Sequence, residues 1–426
     1  MRNFVMRKGF CRFPEVSVAL FLLSGCGGSS RVNPMPTPNP LGNPRSILIR
    51  VPVGTDVAAL AREYGCTVED SAPEDNLYRF RIPSDQNDDT FSEHLRGDSR
   101  FADAETDEGV RAPEQGTVTG DPIHVPFDFV GPSDSGFTAM DSAYDSGAVI
   151  TLGAGEQVGL SLTRGVRRAT AVTVAVLDTG VQLDHPNLSA RLVPGYNAIT
   201  PGATPSDIAD GTTNQALGHG TMVAGIVAQV APEAKILPIR VLNADGTGSV
   251  FNVVRGLRWA VSQGAQVVNV SFGTTKSSRA LEEAVQQARR AGVLVVASAG
   301  NAGQARKDYP AAFSDALAVA ATDASDRKAS FSNYGSHIGL SAPGTNIVST
   351  FVKGGFATWS GTSFAAPFVS GAAARLRAAN PTLSADKIAE RLRDSARSID
   401  SVNPAYSGKL GKGMLDINAA LLGAKK

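Results

Sequence analysis

From residue 170 to the end of this 426-residue chain, short apolar runs alternate with longer helical patterns. The runs have the length of buried strands, and the patterns between them have the spacing of helices that bury one face. This alternation favours an α/β fold of the doubly wound type, with a mainly parallel sheet and helices on both faces. The predicted segments are strand 172–177, helix 219–229, strand 235–241, helix 250–263, strand 266–271, helix 279–291, strand 293–298, strand 316–321 and helix 362–379.

The last of these helices begins with a serine. Gly-Thr-Ser-Phe-Ala-Ala-Pro, residues 361–367, sets Ser363 between a glycine-led turn and an apolar helix. A helix N-terminus offers unpaired backbone N–H groups and the positive end of the helix dipole, which suits a hydroxyl nucleophile. Serine is also an ordinary helix cap, and this motif alone is more typical of a cap than of a nucleophile.

Two further motifs favour the nucleophile. Val-Thr-Val-Ala-Val-Leu-Asp-Thr-Gly, residues 172–180, places Asp178 at the carboxyl end of a buried strand, where open α/β sheets keep their sites. Gly-His-Gly-Thr-Met-Val-Ala-Gly, residues 218–225, places His219 between glycines at the start of a helix. A histidine held there can reach a hydroxyl on one side and a carboxylate on the other.

In this chain order, Asp178, His219 and Ser363 resemble the catalytic triad of the subtilisin family of serine proteases. The resemblance covers residues 170 to 421 and implies the subtilisin-like fold and serine endopeptidase activity on polypeptides. Its motifs are Asp-Thr-Gly-Val at 178, His-Gly-Thr-Met-Val-Ala-Gly at 219, Ala-Gly-Asn at 299, Ser-Phe-Ser-Asn-Tyr-Gly at 330, Ser-Ala-Pro-Gly at 341 and Gly-Thr-Ser-Phe-Ala-Ala-Pro-Phe-Val-Ser-Gly at 361.

The resemblance implies a role for each catalytic residue. His219 would take the proton of the Ser363 hydroxyl as a general base, while Asp178 fixes the imidazole tautomer. Asn301 follows a buried apolar strand, and the family places its oxyanion-hole asparagine in this motif. Its side chain and the backbone N–H of Ser363 would donate to the oxyanion that the attack produces.

A peptide substrate would lie as an extended strand against the protein. The residues that line the cleft by family position are Gly246, Thr247 and Gly248 on one side, Ser271, Phe272 and Gly273 on the other, and Ala299 and Gly300 as walls of the pocket for the residue before the cut. These small residues are equally compatible with plain turns. The loop between Asn301 and Pro310 shapes the pocket floor and looks shorter than in typical subtilisins, so the sequence does not predict a side-chain preference.

Many subtilisins hold calcium in a long loop after the histidine helix. Here the helix runs directly into Ala-Pro-Glu-Ala at 231, and Asn187 occupies a position where an acidic ligand is common. Oxygen ligands are too few there for a strong calcium site, so we predict that no cofactor is required and assign no metal ligand. A weak calcium site around Asp207 and Asp210 stays open.

The N-terminus is predicted to be a signal peptide over residues 1–25, with a basic start and an apolar run too short to span a bilayer. Leu-Ser-Gly-Cys at 23–26 resembles a bacterial lipoprotein signal, in which the cysteine, here Cys26, is lipidated; an ordinary secretory signal is the alternative. The chain would be an exported lipoprotein of the cell envelope, held at the membrane only by lipid. Residues 26–45, rich in proline, read as an extended tether.

Residues 46–113 follow a βαββα(β) pattern, with a helix capped by Thr55 and a strand over 66–68, and predict a small ferredoxin-like α+β unit. This unit resembles the inhibitory prodomain of subtilisin zymogens, so the chain's own prodomain is a predicted partner. An unrelated binding module is the alternative. Residues 114–169 read as a linker with the processing site and the first turns of a catalytic domain that spans 170–426.

Composition excludes other classes of function. The 40 basic and 40 acidic residues balance, and no basic stripe suggests nucleic acid as a partner. No strand is followed by a glycine-rich phosphate loop, which excludes a nucleotide-binding enzyme. A catalytically silent binding lipoprotein on the same fold remains the rival, because a fold does not guarantee a function. Against it, all of the catalytic groups are present together.

Overall fold

The computed structural model describes residues 45–112, 152–160, 162 and 171–423. The predicted signal peptide, Cys26 and nearly all of the tether lie outside the described residues. Most of the predicted linker, 114–169, lies outside them as well.

The first described unit is an antiparallel sheet with two helices. Its elements are β1 (Ser46–Arg50), α1 (Val57–Glu63), β2 (Thr67–Ala72), β3 (Leu77–Arg81), α2 (Asp88–Arg96) and β4 (Asp103–Thr106). The strand order is β2-β3-β1-β4 and all pairs are antiparallel. This βαββαβ unit has the ferredoxin-like element order that the sequence predicts.

Two local details of this unit differ from the sequence prediction. The cap of α1 is Asp56, whose carboxylate accepts the N–H of Ala59 at 2.9 Å, while the Thr55 hydroxyl donates to Pro52. β2 runs on to Ala72 because it pairs with β3 along its length. The second half of β2 is mostly polar, so it has no apolar pattern by which the sequence could predict it. Its strand conformation comes from pairing with β3.

Strand β1 is buried on both faces. Ile47 and Ile49 pack in a core with the unit's own helices, whereas Leu48 belongs to the large core of the rest of the protein, together with Leu77 and Val110. Since successive strand side chains point to opposite faces, one face of the small sheet packs against the larger domain.

The larger domain contains a seven-stranded sheet. The short strand β5 (Gly109–Arg111) follows the small unit along the chain. The elements of the larger domain are α3 (Leu152–Gln157), β6 (Thr173–Asp178), β7 (Tyr196–Asn197), α4 (His219–Val230), β8 (Lys235–Arg240), β9 (Thr247–Ser249), α5 (Val250–Ser262), β10 (Val267–Val270), α6 (Arg279–Arg290), β11 (Leu294–Ser298), β12 (Ala316–Thr322), β13 (Ile338–Pro343), β14 (Ile347–Thr350), β15 (Phe356–Trp359), α7 (Thr362–Ala379), α8 (Ala385–Asp394) and α9 (Ile417–Leu422). The sheet has the order β13-β12-β11-β10-β6-β8-β7, and every neighbouring pair is parallel.

Helices cover both faces of this sheet. In α5, Gly256 lies against Ile239 and Leu177. In α7, Ser370 donates a hydrogen bond of 2.8 Å to Asn269, which pairs in register with Val176. Because Val176 and Leu177 point to opposite faces, α5 and α7 lie on opposite sides. The predicted doubly wound α/β fold is confirmed.

The parallel sheet gathers the predicted site residues at one edge. Asp178 ends β6, the segment 271–273 follows β10, and the segment 299–301 follows β11. β6 and β11 both pair with β10, so the carboxyl ends of three adjacent strands meet.

The described part of the predicted linker packs on the larger domain. Val158, just after α3, is fully buried in its core, and its carbonyl accepts the N–H of Ile417 at 2.9 Å. In the described residues, every helix is too short or too polar to cross a membrane.

Candidate active site

Asp178 and His219 meet where β6 ends and α4 begins. Both side chains are fully buried, and His219 Nδ1 lies 2.6 Å from Asp178 Oδ1. The same carboxylate oxygen accepts the N–H of Thr179 at 2.8 Å. Since Asp178 Oδ1 accepts a hydrogen bond from the N–H at Nδ1, the neutral imidazole keeps Nε2 as its basic nitrogen.

The glycines that flank His219 are sterically required. Gly218, the N-cap of α4, has φ of 88°, and a Cβ there would overlap the ring of Phe351. A Cβ at Gly220 would overlap the carbonyl oxygen of Gly180. Glycine at 220 therefore lets α4 come close enough for His219 to reach Asp178, while glycine at 218 makes room for Phe351.

A second buried carboxylate holds the start of α4. Asp207 accepts hydrogen bonds from Gly218 N–H at 3.1 Å, Thr221 N–H at 3.2 Å and the Thr221 hydroxyl at 2.7 Å. It caps N–H groups that have no partner within the helix. Burial raises the pKa of Asp207 to about 6, against the opposing effect of these hydrogen bonds, and the charge of Asp178 adds to the rise. From the sequence, Asp207 is a candidate only for a weak calcium site.

Ser363 lies in the first turn of α7, and its carbonyl has no usual helical donor because residue 367 is proline. The hydroxyl of Ser271 takes that place, donating to the Ser363 carbonyl at 2.8 Å. The Ser363 hydroxyl in turn donates to the Ser271 carbonyl at 2.8 Å. This reciprocal pair ties the first turn of α7 to the segment after β10.

His219 lies beside that first turn. Its ring centroid is 5.3 Å from the ring of Phe364 and 5.8 Å from that of Trp359. Phe364 directly follows Ser363, so the fold brings His219, Asp178 and Ser363 together at the carboxyl edge of the sheet.

Asn301 is held in one orientation by a threonine that the sequence analysis did not single out. Its Oδ1 accepts the N–H of Thr362 at 3.0 Å and the Thr362 hydroxyl at 2.8 Å. Thr362 Oγ1 accepts the N–H of Gly300 at 3.1 Å. Because two donors fix the carbonyl end of the carboxamide, Nδ2 is turned away from Thr362 as its donor end. The only sequence signal for Thr362 is its place directly before Ser363.

The predicted cleft residues lie on three backbone segments, and β5 lies between two of them, 246–248 and 271–273. β5 pairs with β9 in antiparallel register, Val110 opposite Gly248 and Arg111 opposite Thr247. On its other side, Arg111 and Gly273 exchange two backbone hydrogen bonds of 2.9 Å. Ala112 N–H donates to the Gly246 carbonyl at 2.9 Å. The chain's own residues 109–112 thus lie in this cleft as an extended strand.

Ser271 and Gly300 adjoin the first turn of α7, and Ala299, which precedes Gly300, accepts a hydrogen bond from Asn333 at its carbonyl. Gly300 and Ser271 bond to Thr362 and Ser363 there. Phe272 differs, because its side chain is fully buried in the hydrophobic core and only its backbone adjoins the cleft. Alternate residues of an extended segment point to opposite sides.

The residues proposed for calcium are occupied by protein donors. Asp207 caps α4, and Asp210 accepts hydrogen bonds from the Arg240 guanidinium at 2.5 Å and from Ala244 N–H at 3.0 Å. At the family's strong calcium position, Arg191 donates to the carbonyls of Asn187 at 3.1 Å and Pro232 at 2.9 Å. Among the described residues no three acidic, histidine or cysteine side chains form a group that could hold a metal ion. Asp207 and Asp210 already accept protein hydrogen bonds, and Arg191 brings a positive charge to the other position, so these residues do not fit a calcium ion.

Comparison with known protein families decides the classification. The model of the subtilase family, peptidase S8, matches residues 169–413, more than half of the chain. The chain belongs to the subtilase family. Members of this family are serine endopeptidases, and so is this protein. The matched range of this subtilase contains Asp178, His219, Asn301 and Ser363, while the small ferredoxin-like unit lies outside it.

Individual relatives agree. Subtilisin BL of Lederbergia lenta is 41% identical over 248 residues, covering 56% of this chain and 88% of that protein. Thermitase of Thermoactinomyces vulgaris is 39% identical over 252 residues, covering 57% and 87%. Fervidolysin from Fervidobacterium pennivorans, a keratinolytic enzyme related to subtilisin, has a similar fold with a TM-score of 0.71 at 24% identity. That likeness covers 90% of this subtilase and 62% of the fervidolysin chain, and it shows the fold alone.

Proposed function

We propose that this subtilase is an exported endopeptidase made as a zymogen, which residues 46–112 inhibit until they are cut away. The single observation that carries the proposal is the place of β5. Its backbone hydrogen bonds to Gly246, Gly248 and Gly273 are those that an extended peptide substrate would make in the same cleft.

In the proposed mechanism, the Ser363 hydroxyl leaves its bond to the Ser271 carbonyl and gives its proton to Nε2 of His219. Oγ forms a bond to the scissile carbonyl carbon, whose oxygen becomes an oxyanion. Asn301 Nδ2 and the Ser363 N–H donate to that oxyanion. The C–N bond breaks as His219 returns the proton to the leaving amine, and water then hydrolyses the acyl-enzyme by the same steps.

Contacts outside the cleft support inhibition by the small unit. Glu105 accepts the N–H groups of Arg279 at 2.8 Å and Ala280 at 3.0 Å, where α6 begins. Asp107 accepts the N–H of Phe251 at 3.1 Å, where α5 begins. These side-chain oxygens accept N–H groups at helix N-termini of the larger domain, which have no partner within their helices.

Ion pairs extend the same interface. The guanidinium of Arg258 pairs with Asp75, and that of Arg255 pairs with Asp70. Arg50 pairs with Glu283 at 2.6 Å. Such pairs fix the register of the two surfaces, so the small unit holds β5 in the cleft.

Export and membrane attachment rest on the sequence of residues 1–26 and on the family relationship. In our proposal, Cys26 carries the lipid and the cut severs the catalytic domain from it. The protease is then free outside the cell once residues 46–112 dissociate, or stays tethered and inhibited while they remain bound.

We expect Ser363→Ala, His219→Ala and Asp178→Asn each to lower peptide hydrolysis by several orders of magnitude. The three groups act as one unit, so double variants are expected to be hardly worse than single ones. Asn301→Ala should lower kcat by about 10²–10³ with little change in KM. Steady-state kinetics on a peptide substrate measure all four variants. Additive losses among the first three would show that they do not form a triad.

The proposed processing predicts a cut between residues 113 and 151, because 109–112 lie in the cleft and α3 already packs on the catalytic domain. Wild-type protein should yield an active fragment whose N-terminal sequence begins in that range. A Ser363→Ala chain should remain full length, since it cannot cut itself. An active species that still begins before residue 46 would show that the small unit is a permanent domain.

Release of the small unit is expected to be easier at high pH. Asp107 faces Arg79, Ser249, Phe251 N–H and Glu105, and burial raises the pKa of its carboxyl to about 7. Its ordinary value near 3.8 should return on release, so the complex binds a proton more tightly than the separated parts. Inhibition should therefore be strongest below about pH 4 and weaken as pH rises to about 7.

An Asp107→Asn chain should lose this pH dependence, because the amide still accepts the Phe251 N–H but does not titrate. The activation rate of this variant is divided by the wild-type rate at each pH from 5 to 8. The division removes the pH dependence that His219 gives to both chains. We expect this ratio to fall by roughly tenfold or more over that range. Asp85→Asn, at an exposed position, is the control. A constant ratio would contradict the expectation.

The enzyme is proposed to need no metal, since Arg191 occupies the position where calcium would join Asn187 to the turn after α4. EDTA should leave Tm nearly unchanged, whereas Arg191→Ala should lower it by a few degrees through the loss of two hydrogen bonds to carbonyls. Differential scanning calorimetry of the Ser363→Ala chain avoids self-digestion. A fall of more than about 10 °C with EDTA would reveal a metal site.

A further inference from the structure

The pocket next to Ser363 has two walls. The segment 271–273 is fixed to α7 by the Ser271 and Ser363 hydrogen bonds, and Gly300 is fixed by the Thr362 hydroxyl. The side chain of the substrate residue before the cut would enter between these walls. The group at the far end of the pocket therefore determines which side chains fit.

The carboxylate group of Asp308 lies beside both walls. A Cβ added at Gly300 would overlap its Oδ2, and one added at Gly273 would lie 3.6 Å from the Asp308 Cβ. Asn333 Nδ2 donates both to the Ala299 carbonyl at 3.0 Å and to Asp308 Oδ2 at 3.1 Å. Asp308 thus contacts both walls, and it is only 7% exposed.

The backbone beside Asp308 is fixed as well. Tyr309 and Thr274 exchange two backbone hydrogen bonds, of 2.9 and 2.8 Å, so the loop continues the wall formed by 271–273. Asn333 is fully buried and its Oδ1 accepts the N–H of Ala302 at 3.1 Å. The carboxylate is therefore held in place by the pocket itself.

The negative charge of Asp308 is neutralised by its own loop. Arg306 donates from Nε to Oδ1 at 2.8 Å and from Nη2 to Oδ2 at 3.0 Å, a bidentate pair. The Arg306 side chain is 42% exposed, so the guanidinium lies on the solvent side of the buried acid. An incoming lysine or arginine would have to displace a partner tethered two residues away, which acts at high effective concentration.

We propose that the Asp308–Arg306 pair sets the specificity of the pocket: Asp308 is an acidic floor, and Arg306 occupies it and so excludes basic side chains in favour of uncharged ones. The proposal rests on the endopeptidase function proposed above and specifies its substrate class. Without Arg306, the buried carboxylate would lack a counter-ion, and a basic substrate side chain would supply it.

The test uses two tetrapeptide p-nitroanilides that differ only in the residue before the cut, leucine or lysine. Full-length preparations of wild type, Arg306→Ala, Asp308→Asn and the double variant are allowed to mature, and a fluorophosphonate titration counts their active sites. Lys307→Ala, a neighbouring exposed cation, is the matched control. The readout is the ratio of kcat/KM for the lysine peptide to that for the leucine peptide.

Wild type should favour leucine, and Arg306→Ala should raise the lysine-to-leucine ratio by about tenfold or more. Adding Asp308→Asn should abolish that gain, and Lys307→Ala should leave the ratio within about threefold of wild type. The proposal would be overturned if the lysine-to-leucine ratio were unchanged in Arg306→Ala, or if it rose equally in the double variant. Either result would give the pair a structural role only. Wild type that cleaves neither peptide and does not react with the fluorophosphonate would overturn the proposed function itself.

Discussion

The hydrogen bond between His219 Nδ1 and Asp178 Oδ1 is the contact on which the rest of the site depends. The two atoms are 2.6 Å apart and both side chains are fully buried. Water therefore cannot replace either partner. The contact requires the start of α4 to touch the turn after β6, which only glycine at 220 allows. It also requires the unpaired N–H groups of α4 to find an acceptor, and Asp207 supplies it.

The small unit and the larger domain share one principle of association. Three elements of the larger domain find backbone partners in residues 105–111, which end the small unit and continue into β5. β9 gains β5 as a strand partner, α5 gains Asp107, and α6 gains Glu105. These are backbone donors and acceptors that would otherwise bond to water, so the interface is directional and fixes where β5 lies. A substrate would offer the strand pairing alone.

The sequence predicted the parallel sheet and the three residues at its carboxyl edge because both follow from local patterns. A buried strand that ends in Asp178, and a glycine-flanked His219 at a helix start, are visible within nine residues or fewer. The sequence left a weak calcium site around Asp207 open and did not predict that Asp207 caps α4, because a loop acid looks the same whether it meets a cation or a helix N-terminus. Thr362 and Asp308 carried no periodic signal, and their roles arise from partners distant in the chain.

The sequence by itself determined the type of fold, the chain order of Asp178, His219 and Ser363, and the presence of a small α+β unit before them. Apolar period, helix caps and turn glycines encode these features over short stretches. Tertiary structure alone decided that residues 109–112 lie between 246–248 and 273, and that Asp308 spans two walls while Arg306 neutralises it. Hydrogen-bond partners far apart in sequence are chosen by how whole elements pack, and no local pattern records that choice.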